Sequence, residues 1–409
     1  MPNNAGQFPT LGLVLSGGGA RGAYEAGVIR YIRDELPPKV SAKIKFDIMC
    51  GTSAGAINSC FLASCAHTPE LQGKALAELW QSVRIETIFK IGWRELLKLP
   101  RFLLGSRGRG EIDEMVGQGR LGGLFNTYPL EKFVRRMMDW NSIKSNLQAG
   151  HLQAIAVNAT HIGTGITHLF VQSNQPHVPP STNPQIKTHW VDLTPNHVLA
   201  SAAMPWVFPA VEIDGEIYCD GALKLNTPIS PALRLGAQRL FVIGLKTTQT
   251  PVQSPLKIAS YPSAIFLLGK ILNALLVDKA EYDLLQLERF NNFLDAGTTK
   301  FGEHFVSELG DEIVKLGGRP FRRVESMVVR PSVDISTIAE HHLSLGAIAA
   351  RAGGIVGPIL KRMGESSQGQ TKDLLSYLLF DGDFATDLIK LGMHDADASR
   401  QKLINFFDI

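Results

Sequence analysis

One serine, two aspartates and a run of glycines hold the residue types that could do chemistry in this 409-residue chain. In "DIMCGTSAGAIN" (47–58), Gly51, Ser53 and Gly55 spell G-x-S-x-G, with Thr52 and Ala54 completing the motif. Phe46, Ile48, Met49 and Cys50 read as the end of a buried strand, and 54–66 has the apolar period of a helix. A strand that enters a helix through two glycines must turn sharply, which strains the serine backbone and lifts its hydroxyl clear of the sheet. The same spacing also suits a plain strand-to-helix connection that packs closely, so the motif needs partners before it implies catalysis.

A hydroxyl is a weak nucleophile until a base removes its proton, and acyl transfer also needs donors facing the developing oxyanion. The run "GGGARG", comprising Gly17, Gly18, Gly19, Ala20, Arg21 and Gly22, offers backbone N–H groups at the start of a helix, where the dipole favours negative charge. Two Asp-Gly pairs lie in "VEIDGEIYCDGALKLNTP". Asp214-Gly215 sits between "VEI" and "EIYC", the pattern of a hairpin turn. Asp220-Gly221, followed by Ala222, ends an apolar strand and opens a small-residue loop, a better place for a functional carboxylate. Asp220 is the candidate base, and burial that raises its pKa from the usual ~4 would suit it to that task. His304, His341, His342 and His394 fall in segments that read as helical or peripheral, so a Ser–Asp dyad is favoured over a Ser–Asp–His triad.

These residues need a scaffold that brings them together. "LGLVLS" (11–16) reads as a strand, 17–22 as a loop, 23–36 as a helix ended by Pro37-Pro38, and 44–50 as a second strand. This β-α-β-α order implies parallel strands, so both glycine loops leave the same carboxyl-terminal edge of one sheet. A hairpin is predicted over 152–160 and 166–172, with further buried strands at 239–246 and 326–331. Residues 79–104 and 256–294 read as helical, 105–123 as a Gly/Arg-rich loop, and the tail after about 335 as mostly helical. The expected organisation is an α/β catalytic domain over 9–250, with a further core strand near 326–331, and a mainly helical extension over 251–409.

The chain is 44% hydrophobic and 19% charged, enough apolar material for a large core. A net charge of +3 without a long cationic run gives no footprint for nucleic acid. The cysteines at 50, 60, 65 and 219 lack metal-type spacing and read as reduced and buried. "MPNNAGQFPTLG" has neither a basic start nor an apolar core, and the strongest apolar run, 264–277, is too short to span a bilayer. A cytoplasmic, soluble or peripheral protein is the expectation. Gly17, Gly19 and Gly22 also satisfy G-x-G-x-x-G between a strand and a helix, the setting of a dinucleotide site. The acid that should end the second strand is missing, however; Asp47 lies inside it.

Taken in order, "GGGARGAYEAGV", "GTSAGAIN" and "DGALKLNTP" closely resemble the patatin-like phospholipases, specifically a bacterial member. The resemblance extends through 201–222 and 231–244 and so covers about 11–247 with small gaps. It implies a three-layer α/β sandwich with a mainly parallel central sheet, a Ser–Asp dyad, and hydrolysis of lipid acyl esters with no metal and no cofactor. Phospholipid or lysophospholipid would be the substrate. Ser53 then matches the nucleophile, Asp220 the base and Gly17 to Gly22 the oxyanion loop. The chain departs from the common pattern at Ser16, where many members have aspartate, and at Ala222, where many have glycine. Neither departure removes a reacting group. Arg21 could hold a lipid phosphate, but a structural role fixing the loop is favoured. A lipid-binding protein of the same fold without turnover is the alternative outside enzymes.

One segment suits a lipid surface. In "TIFKIGWRELLKLPRFLLG" (87–105), Lys90, Arg94, Lys98 and Arg101 recur at helical spacing, while Phe89, Trp93, Leu96 and Leu97 gather on an adjoining face. A basic face beside an aromatic and aliphatic one is an interfacial pattern, and a lid helix packed on the core would show it too.

Overall fold

The computed structural model describes residues 9–88, 120–121, 128–174, 183–205, 207–247, 279–316, 320–344 and 372–408. Their ten strands are β1 (Leu11–Leu15), β2 (Ile48–Gly51), β3 (Arg120–Leu121), β4 (Ala154–His161), β5 (Thr167–Ser173), β6 (Ile186–Trp190), β7 (Ala210–Ile213), β8 (Glu216–Asp220), β9 (Arg239–Ile243) and β10 (Glu325–Val329). All join one sheet. Its path runs β10-β9-β1-β2-β4-β8-β7-β3, with β5 on β4 and β6 on β5. The five strands from β10 to β4 are mutually parallel, as the alternation of strand and helix predicts.

Strand β1 shows why the sheet is covered on both faces. Leu11, Leu13 and Leu15 enter the larger core and Val14 the smaller one, because successive side chains alternate across the sheet. The larger core is closed by α1 (Gly22–Asp34), α2 (Ala54–Ser64) and α3 (Pro69–Ser82). The smaller core is closed by α4 (Ile229–Leu235) and α5 (Lys279–Phe301). The three-layer α/β reading therefore holds. The carboxyl-terminal helices α6 (Lys372–Leu378), α7 (Gly382–Ala398) and α8 (Arg400–Phe407) contribute Tyr377, Leu388 and Leu403 to the larger core. Helix α7 lies along α1, where Asp395 accepts from the Tyr24 hydroxyl at 3.1 Å and Asp397 from that of Tyr31 at 2.6 Å.

The position of the site follows from β4, which at eight residues is twice as long as β2. One edge of β4 carries β5 along its length, as the predicted hairpin requires. On the other edge β2 pairs with the first half, Gly51 opposite Val157, and β8 pairs antiparallel with the second half, Asp220 opposite Ala159. Strands β2 and β8 thus approach each other end to end along one edge. Their carboxyl termini, the Ser53 turn and Asp220, meet beside Asn158. Strand β8 reverses at Asp214 and Gly215, whose φ angles of +53° and +81° give a hairpin turn with both central residues left-handed.

Some boundaries differ from the sequence reading. Of the helical stretch expected over 79–104, the first part belongs to a helix that begins at Pro69, where a first-turn proline loses no hydrogen bond, and stops at Ser82 before the extended Val83; a helical turn follows at Ile85–Ile88, and 89–104 lie outside the described residues. Strand β2 is shorter than 44–50 and begins at Ile48. The helix expected over 256–294 is described from Lys279 and runs on to Phe301, ended by Gly302 at φ +94°. Strand β6, "IKTHW", is absent from the sequence reading: only Ile186 and Trp190, at its two ends, are strongly apolar, and none of its side chains is fully buried. Within 105–123 only the two-residue β3 is described.

Candidate active site

Ser53 adopts φ 53° and ψ −119° between β2 and α2. A non-glycine residue enters that region only where its surroundings hold it there. The constraint comes from both sides of the motif. A side chain at Gly51 would collide with the Gly55 carbonyl, and one at Gly55 with the Leu15 carbonyl, so the turn can pass this close to β1 only with glycine at both positions. The Ser53 N–H donates to the Ser201 hydroxyl at 2.9 Å, which ties the strained residue to the helix Pro195–Ser201.

Across the junction, the Ser53 hydroxyl donates to Asp220 Oδ2 at 2.8 Å. Asp220 Oδ1 accepts the Ala222 N–H at 2.8 Å, which caps a short turn of Gly221–Leu223. The carboxylate is 1% exposed, and burial pushes its pKa up from 3.8 to about 7; the bonds from Ala222 and Ser53 oppose that rise without cancelling it. A buried carboxylate with no cation bonded to it among the described residues, in contact with a serine hydroxyl, can take the hydroxyl proton near neutral pH.

Several residues outside the sequence reading hold this pair in register. The Thr52 hydroxyl donates to Asn158 Oδ1 at 2.6 Å, and Asn158 Nδ2 donates to the Leu225 carbonyl at 3.1 Å, joining the serine turn to the loop that follows Asp220. Thr160 Oγ1 donates to the Asp220 carbonyl at 2.9 Å. Asn158 could have been suspected from sequence, because it is a polar residue flanked by apolar ones inside a run that reads as a buried strand, whereas Gln153 lies at the start of that run. Ser201 carried no comparable signal.

The glycine loop stands beside Ser53. A side chain at Gly17 would come 3.2 Å from Ser53 Cβ. Gly17 gives its own N–H to the Asn226 carbonyl at 3.1 Å, and Arg21 gives its N–H to the Gly18 carbonyl. The N–H groups of Gly18, Gly19 and Ala20 have no protein acceptor among the described residues, and these are the donors the loop can offer to an oxyanion. Gly19, at φ +55°, lies against the Tyr377 carbonyl so closely that a side chain there would collide with it. The buried Arg21 bonds through Nε and Nη2 to the Ser376 hydroxyl, at 2.9 and 2.6 Å, and stacks over Tyr377. It ties α6 to the loop through the Ser376 hydroxyl and the Asp373 carbonyl, contacts that suit a structural role. Gly22 packs against Ala54 and Trp80.

A cleft of about 530 Å³, including its open mouth, begins at Ser53 and Gly19. Ile57, Trp80, Leu130, Phe133, Met204 and Phe380 are among its walls, and no charged residue lines it among the described residues. That is a lining for an acyl chain.

Comparison with known families decides the class. The family model described as patatin-like phospholipase matches residues 13–233, more than half of the chain. The chain belongs to the patatin-like phospholipase family. Among curated proteins, this patatin-like chain is 31% identical over 216 residues to a cGAMP-activated phospholipase of Pseudomonas aeruginosa (strain BWHPSA011 / Pa011). That match spans 53% of each chain, so about half the length of the relative is represented. The solved structure of VipD from Legionella pneumophila aligns over 95% of this chain and 69% of its own, at 14% identity and a TM-score of 0.30, and that likeness carries no further weight. Family and relative together support a lipid hydrolase.

The other residues singled out from sequence fall elsewhere in the patatin-like fold. His304, His341 and His394 are exposed, and His342 pairs with Asp387 at 2.8 Å. No histidine bonds to Asp220 or lines the acyl cleft among the described residues. Asp47 precedes β2 and accepts the Leu11 N–H at 3.0 Å, at the opposite edge of the sheet from the glycine loop and so out of place for a ribose. Cys50 and Cys60 are buried as expected, whereas Cys65 and Cys219 are only partly so; all four are free. Lys90, Trp93, Arg94, Lys98 and Arg101 lie outside the described residues. No helix among the described residues is long and apolar enough to cross a membrane.

Proposed function

We propose that this patatin-like protein is a serine acyl hydrolase of the phospholipase A or lysophospholipase type, working through Ser53 and Asp220. The observation that carries the proposal is the 2.8 Å bond between the Ser53 hydroxyl and a buried carboxylate at the mouth of an apolar cleft. Asp220 takes the hydroxyl proton as Ser53 Oγ attacks the ester carbonyl carbon, and the negative charge moves to the carbonyl oxygen. The N–H groups of Gly18 and Gly19 face that charge, with Ala20 beside them. Collapse breaks the bond to the leaving oxygen, which receives the proton from Asp220 and departs as the alcohol, leaving the acyl group on Ser53. Water then attacks the acyl carbon, gives its proton to Asp220, and Ser53 Oγ leaves with that proton while the fatty acid is released. Residues 9–250 supply the reacting groups in this reading, and the extension over 251–409 supplies the cleft wall through Phe380.

Ser53→Ala tests it directly. The variant should lose at least ~10³-fold in kcat on a short-chain p-nitrophenyl ester while keeping its fold, and a fluorophosphonate should label wild type at Ser53 and leave the variant unlabelled. Turnover within tenfold of wild type would remove Ser53 from the mechanism. Lipid binding without turnover by wild type would favour the non-catalytic alternative.

A further inference from the structure

We infer that a cluster of histidines beside the candidate active site is an acid-sensitive latch, which holds the helix Pro195–Ser201 in place only while its rings are uncharged. Four of the eleven histidines of the chain meet there: His161 on β4, His168 on β5, His189 on β6 and His197 in that helix. The rings of His161 and His168 stack with centroids 4.8 Å apart, His168 and His189 follow at 4.7 Å, and Phe170 stands between His189 and His197 at 5.4 and 4.6 Å. The helix carries the supports of the proposed reacting pair. Ser201 at its end accepts the Ser53 N–H at 2.9 Å, and the Ala203 carbonyl just beyond accepts the Asp220 N–H at 2.8 Å. Tyr218, whose hydroxyl lies 3.0 Å from His168 Nδ1, precedes Asp220 by two residues on β8.

Two contacts require uncharged rings. His197 Nδ1 accepts the Thr194 N–H at 3.0 Å, closing the capping box at the start of the helix, and a protonated ring would turn an N–H of its own against that donor. His168 Nδ1 and His189 Nε2 are 3.1 Å apart, which leaves room for one hydrogen; with both rings protonated, two N–H groups would face each other and the contact must open. Around the rings stand Lys187, Arg135, which pairs with Glu131 and bonds to Asn196 of the helix, and the carboxylates Asp214 and Glu216, the latter 2.7 Å from His161 Nε2. Four charged rings would carry more positive charge than those two carboxylates offset. Burial, the largest cause, pushes His168 and His197 from 6.5 down to about 4 and lowers His189, and neighbouring imidazoles add to it. Rings that the fold keeps neutral stabilise it fully above pH ~6.5, and that contribution is lost as pH falls towards about 4.

The test follows amide hydrogen exchange in the full-length chain at pH 7.5 and pH 5, corrected for the intrinsic rate at each pH. In wild type, protection over residues 195–203 should fall by about tenfold or more on acidification and return at pH 7.5. His197→Gln keeps the capping box, since glutamine serves at the third helical position, and His189→Gln keeps an N–H that does not titrate. Each should lose part of the acid response, and the double variant nearly all of it. Asp220 is common to these proteins, so its own pH dependence cancels between them. The consequence for turnover rests on the hydrolase reading, whereas the latch itself does not. Ser53→Ala, which keeps the backbone N–H that Ser201 accepts, should respond to acid like wild type, so failure of the hydrolase reading and failure of the latch are read separately. Equal protection of 195–203 at the two pH values in wild type, or an equal fall in wild type and every histidine variant, overturns the proposal.

Discussion

Asp220→Asn tests the proposed base through stability as well as rate. In the folded chain the carboxyl is pushed from 3.8 up to about 7 by burial, so the folded state holds its proton more tightly than the unfolded state does. Folding is therefore favoured by this group at low pH, and the benefit is lost as pH rises from about 4 to about 7, where the buried group must ionise. About three pH units at ~1.36 kcal/mol each make a loss of about 4 kcal/mol, of which about 3 kcal/mol falls in the accessible window from pH 5 to pH 8. Asparagine removes the ionisation and keeps the shape: Oδ1 can accept the Ala222 N–H, and Nδ2 can donate to Ser53 Oγ. The stability of the variant relative to wild type, from urea unfolding, should thus rise by about 3 kcal/mol between pH 5 and pH 8. Over the same range wild-type kcat/KM should climb tenfold per pH unit up to about 7 and then level off, and the variant should lose at least ~10³-fold. A relative stability that stays flat with pH would show that Asp220 does not hold a proton at neutral pH, and the base assignment would have lost its physical support.

The remaining predictions concern other parts of the site. Asp214→Asn should leave turnover within about twofold, since asparagine also tolerates the left-handed turn; a loss equal to that of Asp220→Asn would erase the distinction between the two Asp-Gly pairs. Gly19→Ala must shift the loop away from the Tyr377 carbonyl and should lower both the melting temperature and, at least ~10²-fold, kcat on the same ester assayed below that temperature; turnover equal to wild type in the folded variant would remove the loop from the reaction. Replacing Lys90, Arg94, Lys98 and Arg101 together by Gln should weaken binding to anionic vesicles by roughly two to three powers of ten at about 1 kcal/mol per cation, with soluble-ester turnover retained. Equal co-sedimentation of that variant and wild type would make the segment a lid or a core helix.

The two residues of the Ser53–Asp220 contact were legible because glycine spacing and strand-turn-helix order are local signals. Gly51, Ser53 and Gly55 announce a tight turn, and Asp220 is separated from Asp214 by what flanks each Asp-Gly pair. What joins them was not local. Nothing in "EIYCD" states that β8 runs antiparallel to β4 and meets β2 head-on, since that depends on β4 overhanging its parallel neighbour. Ser201 and Phe380 were invisible for the same reason: a serine at a helix end and a phenylalanine between two helices acquire roles only through packing. Strand β6 escaped because five residues with only Ile186 and Trp190 strongly apolar give too short and weak an alternation to stand out.

The distances along the chain between the parts of the site bear on how the protein is made. Ser53 and Asp220 are 167 residues apart, and Arg21 reaches Ser376 across 355 residues. A nascent chain that has left the ribosome as far as the serine motif has no base, and one that has also completed β8 still lacks the α6 clamp on its glycine loop and the Phe380 wall of its cleft. Contacts of such long separation close late in folding. In the proposed reading, the site is therefore complete only once synthesis has passed Phe380.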